Sequence, residues 1–386
     1  MKQSSASSTG RPLRVIVSGG GTGGHVYPAI AIADELKRLC PGTEILFVGA
    51  KGKLEMTKVP MAGYRIEGLW ISGLQRKLTL DNLSFPFKLI ASIWKSIRIV
   101  KTFRPDVVVG TGGYAGGPVL YAAAKMGVPT LIQEPNAFAG LANKWLGKHV
   151  DKVCVAFPGM EKFFPKKKLV LTGNPVREEM LEKVRSQTRS ADESGRVASA
   201  SADEQDVLLM GGSGGAKSLN EAMRDNTKAI GARPQVRWTW QSGVAYYDAF
   251  QNCATAQLPN VTISAFIDDM AAAYAQADVV IGRAGSTTIA EIQYLGKPTI
   301  LVPSPWVAED HQTVNARALT ERDAAVLVAD QDAKTKLIPA VFALADDAER
   351  RSTVGRNARA MANTGGVTRI AEEILNLIPL PVKTAA

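Results

Sequence analysis

At 386 residues, 46% of them hydrophobic, the chain is too long for one typical domain and can bury two cores. A net charge of +10 favours acidic partners, while three scattered cysteines (Cys40, Cys154, Cys253) and three scattered histidines (His25, His149, His311) exclude a disulfide framework and a zinc-type ligand set. The basic residues form no recognisable nucleic-acid module, so no nucleic-acid partner is expected.

The first ten residues lack the apolar core of a signal peptide and read as a floppy tail. No window reaches the roughly 18 apolar residues of a spanning helix, which predicts a cytoplasmic chain, soluble or peripheral to a membrane. A first strand at 13–17 runs into Gly19, Gly20, Gly21, Thr22, Gly23 and Gly24, and then into a helix opening with His25. Glycines let backbone amides approach a ligand, and a helix N-terminus favours an anion, so this turn suits a diphosphate. Gly19, Gly21 and Gly24 also match the dinucleotide fingerprint. The second strand, 45–48, continues as Gly49, Ala50 and Lys51 with no carboxylate for a ribose, which argues against a nicotinamide cofactor. The helix N-terminus favours a neutral His25, available as a base near pH 7.

Between 74 and 104 stand seven basic residues (Arg76, Lys77, Lys88, Lys95, Arg98, Lys101, Arg104) against one acidic, Asp81. Leu83, Phe85, Phe87, Leu89, Ile90, Ile93, Trp94 and Ile97 are interleaved with them, at helical spacing from Phe87 onward. Part of this pattern is a helix packed on its own sheet. The loop aromatics and excess charge point to an interfacial patch for anionic lipid. Further strands are predicted at 107–109, 130–132 and 169–171. The turn residues Thr172, Gly173, Asn174, Pro175, Val176 and Arg177 then mark a domain boundary, and 186–206, nearly without apolar residues, reads as a disordered insertion.

The second half repeats the plan. A strand at 207–210 enters Gly211, Gly212, Ser213, Gly214, Gly215 and Ala216, one residue short of a P-loop because Ala216 replaces its second glycine. Strands follow at 236–240, 278–281 and 299–302. The third of these ligand-type turns, Gly282 to Ser286, opens a helix in which Glu291 can accept two hydroxyl hydrogen bonds from a sugar diol. Asp330 and Asp332 follow a strand at 325–328; they resemble a metal-holding acidic pair but are read as a helix cap. A helical pattern closes the chain at 367–380. Alternating short apolar strands and helices predict doubly wound parallel sheets covered on both faces, with ligands at the strand ends. Two anion-binding turns suggest two phosphorylated ligands.

The ordered set Gly20 to Pro28, Gly110 to Tyr114, Gln133-Glu134-Pro135-Asn136, Gly173 to Arg177, Gly211 to Ala216 and Asp310 to Ala316 resembles the MurG family of bacterial N-acetylglucosaminyltransferases. The resemblance runs from about Leu13 to the end, departing mainly in the 186–206 insertion and around Ser286 to Glu291. It implies a GT-B fold of two Rossmann-like domains facing across a cleft. They would be an acceptor and membrane-facing domain at 11–175 and a UDP-sugar domain at 176–366, with a helix at 367–386 returning to the first. It also implies an inverting transfer of N-acetylglucosamine from UDP to the muramoyl C4 hydroxyl of lipid I, giving lipid II. The partners would be UDP-N-acetylglucosamine, lipid I and an anionic surface on the cytoplasmic face of the inner membrane.

By the same resemblance, Ser213 and its turn meet the diphosphate, the Ile267 main chain meets uracil, and Glu291 meets ribose. Gln312 would hold the sugar, Arg177 would approach the diphosphate, and Ser286 belongs to the same site. Thr22, Gly23, Gly24 and Asn136 would complete the donor site, and the first glycine turn would cradle the acceptor diphosphate. The base is His25, with Glu134 as the alternative. No cofactor or metal is expected, and Lys88, Trp94, Lys95 and Arg98 mark the membrane patch. The competing readings are a transferase with another acceptor and a UDP-sugar-binding, epimerase-like protein.

Overall fold

Near-continuous apolar strands dominate both halves of the chain, and each half builds one parallel sheet. A computed structural model describes residues 11–73, 84–176, 181–187, 204–212 and 214–378. The first sheet holds β1 (Arg14–Gly19), β2 (Glu44–Ala50), β3 (Arg65–Leu69), β4 (Val107–Gly112), β5 (Thr130–Glu134), β6 (Lys152–Val155) and β7 (Leu169–Leu171), in the order β3-β2-β1-β4-β5-β6-β7. The second holds β8 (Gln205–Met210), β9 (Val236–Gln241), β10 (Val261–Ser264), β11 (Val279–Gly282), β12 (Thr299–Leu301) and β13 (Val326–Leu327), in the order β10-β9-β8-β11-β12-β13. The expected doubly wound parallel sheets are therefore present. Strand order reverses between β1 and β4 and again between β8 and β11, where open α/β sheets form ligand crevices.

Side chains alternate across each strand and feed two cores per sheet. Val15 and Val17 pack with Val26 and Ile32 of the helix Gly23–Leu39 and with Ile370 and Ile374 of the last helix, Gly366–Asn376. Ile16, Leu46 and Val48 face the other way, onto Ile99, Val119, Leu120 and Leu146. In the second sheet Val207, Leu209, Trp238 and Trp240 meet Leu219, Leu337 and Val341, while Leu208, Met210 and Val280 meet Tyr274.

Three strands were not predicted. β3 and β10 are edge strands and β6 is only four residues long, so none carries an extended apolar run. The chain divides into two compact units, residues 1–176 with 363–386, and residues 177–362. Within the first unit the last helix is anchored by Thr368 Oγ1 donating to Glu35 Oε1 (2.6 Å) and by the Lys152–Glu373 ion pair (2.9 Å). Among the described residues no helix is long and apolar enough to cross a membrane. Of the expected 186–206 insertion, residues 188–203 lie outside the described residues, while 186 and 187 are helical and Gln205 and Asp206 open β8, so those ends were misread.

Candidate functional site

In the first unit the ends of β1 and β4 meet backbone to backbone. Gly113 (φ +86°) brings its Cα so close to the Gly20 carbonyl that a Cβ there would lie 2.3 Å from the oxygen. A Cβ on Gly112 would strike the His25 ring at 2.5 Å. Only glycine fits this approach. His25 is tied to β4 twice. Thr111 Oγ1 donates to the His25 carbonyl (2.7 Å), and the ring Nδ1 lies 2.8 Å from the Thr111 carbonyl. A carbonyl only accepts, so Nδ1 carries a proton, and of the two ring nitrogens Nε2 is the one that can serve as a proton acceptor when the ring is neutral.

A carboxylate stands where sequence reading placed none, at the end of β2. Glu55 is fully buried and accepts the N–H groups of Gly21 (2.8 Å) and Ala50 (2.9 Å). Its carboxylate is turned onto the backbone, so it does not supply the missing ribose ligand. It also corrects the expectation for the first turn. The Gly21 N–H is already engaged by an internal anion, and Gly20 N–H donates to the Gly112 carbonyl (3.3 Å). What remains for a ligand is the helix start at Gly23 and Gly24, whose N-cap Thr22 makes no side-chain capping bond. Burial, and then the charge of Glu55, pushes the Tyr114 hydroxyl up.

Glu134, at the end of β5, accepts from Asn136 N (3.1 Å), Asn136 Nδ2 (3.2 Å), Gly140 N (3.1 Å) and Asn143 Nδ2 (2.9 Å). Burial raises its pKa while these donors pull it down. The carboxylate is the hub of its own loop. Gln133 Nε2 donates to Asn174 Oδ1 (2.8 Å) and Asn174 Nδ2 to the Pro135 carbonyl (3.0 Å), so two of the sequence motifs interlock.

In the second unit the turn 211–216 lies on the backbone of Ser242 and Gly243. A Cβ on Gly215 (φ +78°) would sit 2.3 Å from the Ser242 carbonyl. Asn220 fixes the following helix, Lys217–Asp225, by donating to Ser242 O (2.9 Å) and accepting from Trp240 Nε1 (2.8 Å). Beside this turn opens a cavity of about 500 Å³ whose lining includes Gly211, Lys217, Ser218, Arg283, Ser304, Trp306 and Gln312. Arg283 pairs with Asp330 and donates to Ser218 Oγ (3.0 Å) and to the Val302 carbonyl (2.9 Å). Ser218 Oγ in turn donates to Asp330.

The helix-cap reading of the acidic pair holds only by position, with Asp332 as the N-cap residue of the helix Ala333–Asp346. Asp330 faces the cavity on Arg283, and Asp332 makes no side-chain cap bond but pairs with Lys336 (2.9 Å). An arginine after β11 competes for that carboxylate better than a helix end does. Arg283 lies in the turn Gly282 to Ser286 that the sequence marks as ligand-type, but its pairing with Asp330 is set by the fold.

Of the residues assigned to the donor, Gln312 lines this cavity and accepts Ser304 N–H on Oε1 (2.8 Å). Ile267, Ser286 and Glu291 are not among its lining residues. Ile267 packs half-buried on the Tyr274 cluster, and Ser286 is buried at the start of the helix Ser286–Leu295. Tyr274 OH donates to Glu291 Oε2 (2.9 Å), which fixes that carboxylate, and burial pushes the Tyr274 ionisation far up. Arg177 and Ser213 lie outside the described residues.

The basic segment forms the helix Phe85–Phe103, with its start at 74–83 outside the described residues. Ser92, Ser96, Ile99 and Val100 face the sheet. The opposite stripe carries Phe87 (70% exposed), Ile90 (56%) and Trp94 (71%), then the exposed Arg98 and Lys101. Lys95 does not stand with that stripe. Its ammonium pairs with Glu67 (3.0 Å) and donates to the Gly68 carbonyl (2.9 Å), bracing the helix on β3. Lys88 Nζ lies 3.5 Å from Ser72 Oγ and over the Trp70 ring at 5.9 Å.

Comparison with known proteins places this geometry. Residues 15–155 match the glycosyltransferase family 28 N-terminal domain and residues 206–374 its C-terminal domain. The chain is 45% identical over 368 residues to a Cytophaga hutchinsonii protein, UDP-N-acetylglucosamine--N-acetylmuramyl-(pentapeptide) pyrophosphoryl-undecaprenol N-acetylglucosamine transferase, covering 95% of this chain and 98% of that one. It is 44% identical over 378 residues to the Bacteroides fragilis protein of the same name, with 97% and 98% covered. The crystal structure of Acinetobacter baumannii MurG superposes with a TM-score of 0.75 at 28% identity, over 95% of this chain and all of that one. The chain belongs to glycosyltransferase family 28 and, within it, to the MurG group.

Proposed function

We propose that this chain transfers N-acetylglucosamine from UDP to the C4 hydroxyl of the N-acetylmuramoyl sugar of lipid I, with inversion, giving lipid II. The near-full-length identity to transferases named for this reaction carries the choice of substrates. The geometry supports the division of roles. His25 Nε2 takes the proton from the acceptor hydroxyl as that oxygen bonds to the anomeric carbon. The bond to the UDP β-phosphate breaks with its electron pair, and UDP leaves.

Charge growing on that phosphate is met by the amides of the turn 211–216 and the start of the helix Lys217–Asp225. By resemblance Ser213 and Arg177 join them. Glu291 is assigned to ribose, the Ile267 main chain to uracil and Gln312 to the sugar. Ser286, Thr22, Gly23, Gly24 and Asn136 complete the substrate-binding set. Glu134 braces the Asn136 loop and leaves the base role to His25. With arginine and amides on the leaving group, no metal is required.

The stripe Phe87, Ile90, Trp94, Arg98 and Lys101 supports docking on an anionic membrane, at the cytoplasmic face where lipid I presents its sugar. Purified protein incubated with UDP-N-acetylglucosamine and a lipid I analogue should release UDP and form a disaccharide. Donor turnover without acceptor would instead favour the epimerase-like reading, and transfer only to other acceptors would replace lipid I.

A further inference from the structure

Trp306 is 89% exposed, more than any other large apolar side chain among the described residues. Trp is buried in most proteins, and an isolated indole in water gains nothing for stability. This one lines the cavity that holds Gln312 and Arg283.

The loop that presents it is rigid and strained. Pro303 and Pro305 fix φ on either side of Ser304, whose N–H is held by Gln312 Oε1 at 2.8 Å. The chain then enters the helix His311–Thr320 through two consecutive non-glycine residues in the left-handed region, Glu309 (φ 55°) and Asp310 (φ 49°). Thr313 Oγ1 donates to Asp310 Oδ1 (2.7 Å) and secures the second. Left-handed backbone is unfavourable for residues that carry a side chain. Strain of this kind persists where surrounding structure enforces it, commonly beside ligands.

Gln312 gives its oxygen to the loop, which leaves the Nε2 amide to donate into the cavity. A flat apolar face and an amide donor on one short segment match a pyranose ring. Its polarised C–H groups lie on the electron-rich indole face while a ring hydroxyl accepts from the amide.

We infer that Trp306 is the stacking platform for the transferred hexosamine and a determinant of affinity for the sugar part of the donor. The inference rests on the donor reading above and adds a residue to it. A uracil contact is disfavoured because Ile267 and Glu291 do not line this cavity.

Calorimetry with UDP-N-acetylglucosamine and with UDP, on wild type, Trp306→Ala and Trp306→Phe, tests it. Trp306→Ala should bind UDP-N-acetylglucosamine about tenfold more weakly, as expected for loss of one aromatic contact. It should bind UDP as wild type does, and Trp306→Phe should recover most of the difference. Unchanged sugar-nucleotide affinity in Trp306→Ala overturns the inference alone. Equal losses for UDP and UDP-N-acetylglucosamine overturn it in favour of a nucleotide contact or a damaged loop. Wild type that binds neither ligand removes the donor reading, and this inference with it.

Discussion

At the end of β1 the glycine turn is backed by a buried carboxylate, Glu55; at the end of β8 the equivalent turn stands beside a guanidinium, Arg283. Both follow the first strand of a doubly wound sheet, at the point where strand order reverses, and both need glycine for a close backbone approach. The surroundings decide their chemistry. A negative charge already on the Gly21 amide makes the first turn a poor phosphate cradle. The cavity beside the second turn carries Lys217 and Arg283 together with Glu221 and Asp330, and its arginine is paired with Asp330. One fold thus hosts different charge arrangements at two corresponding places, and function follows the site and not the fold.

The sharpest way to break the correspondence is steric. Gly113→Ala would force a Cβ to 2.3 Å from the Gly20 carbonyl in left-handed backbone, whereas a Cβ on Gly212 (φ +79°) meets nothing within 4 Å. Gly113→Ala should unfold the first unit or destabilise it by more than about 3 kcal/mol, and Gly212→Ala should cost about 1 kcal/mol. Urea melts of both variants check the ratio; equal effects would mean that Gly113 is not packed as closely, or Gly212 not as openly, as described.

Next in size is the base. His25→Ala should lower turnover by about 10²–10⁴-fold while leaving affinity for UDP-N-acetylglucosamine unchanged. Glu134→Gln should lose about 1–3 kcal/mol of stability, because two of the four donors then meet an amide N–H₂. A stable but inactive Glu134→Gln beside an active His25→Ala would move the base to the carboxylate.

Much of this contrast was legible in the sequence, and much was not. Glycine turns after apolar strands announce themselves because backbone approach demands the residue type over a short span. The partners Glu55, Thr111, Arg283 and Asp330 come from elsewhere in the chain, 34 residues away in the Gly21–Glu55 bond. A charged residue in a loop looks the same in sequence whether it faces water or a buried amide. Asp330 was misread for this reason: local spacing suggests a cap, and only the fold brings Arg283 to it. Likewise Lys95 reads as part of a basic run until Glu67 on β3 is placed beside it.

The membrane patch belongs with the first unit, and its test should spare Lys95. Changing Phe87, Ile90 and Trp94 to serine removes only exposed apolar groups, whereas reversing Lys95 would also break its bracing pair with Glu67. The triple serine variant should bind anionic vesicles at least about tenfold more weakly, since burying each such side chain is worth roughly 1.5–3 kcal/mol. Turnover on a water-soluble short-chain acceptor should stay normal. Equal loss on soluble and membrane-embedded acceptors would show that the stripe supports the fold.

The smallest expected effect compares how the two turn-bearing helices end. Glu35, near the end of the helix Gly23–Leu39, is buried and accepts from Arg38 Nε (2.6 Å), Arg38 Nη2 (2.8 Å) and Thr368 (2.6 Å). The Arg38 hydrogen bond holds its carboxyl below the ordinary value of 4.5, against the opposing effect of burial. Asp225, at the end of the helix Lys217–Asp225, is pulled down further, to about 2, by Arg224 and then Lys334. Arg224 and Lys334 are solvent-exposed, as is Arg38, so water and salt screen all these pairs; Glu35 differs in being buried and in holding the Thr368 hydroxyl. A carboxyl with a depressed folded pKa stabilises above its unfolded value, and that contribution is lost as pH falls through the folded one. Glu35→Gln should therefore lower stability by about 1 kcal/mol at pH 7, with the difference from wild type shrinking as pH falls below 4.5. Asp225→Asn should change little at either pH. Urea midpoints at pH 7 and in acid separate the two. A larger effect at Asp225 would mean that the exposed pair, and not the buried one joining the first unit's two terminal helices, sets the acid sensitivity.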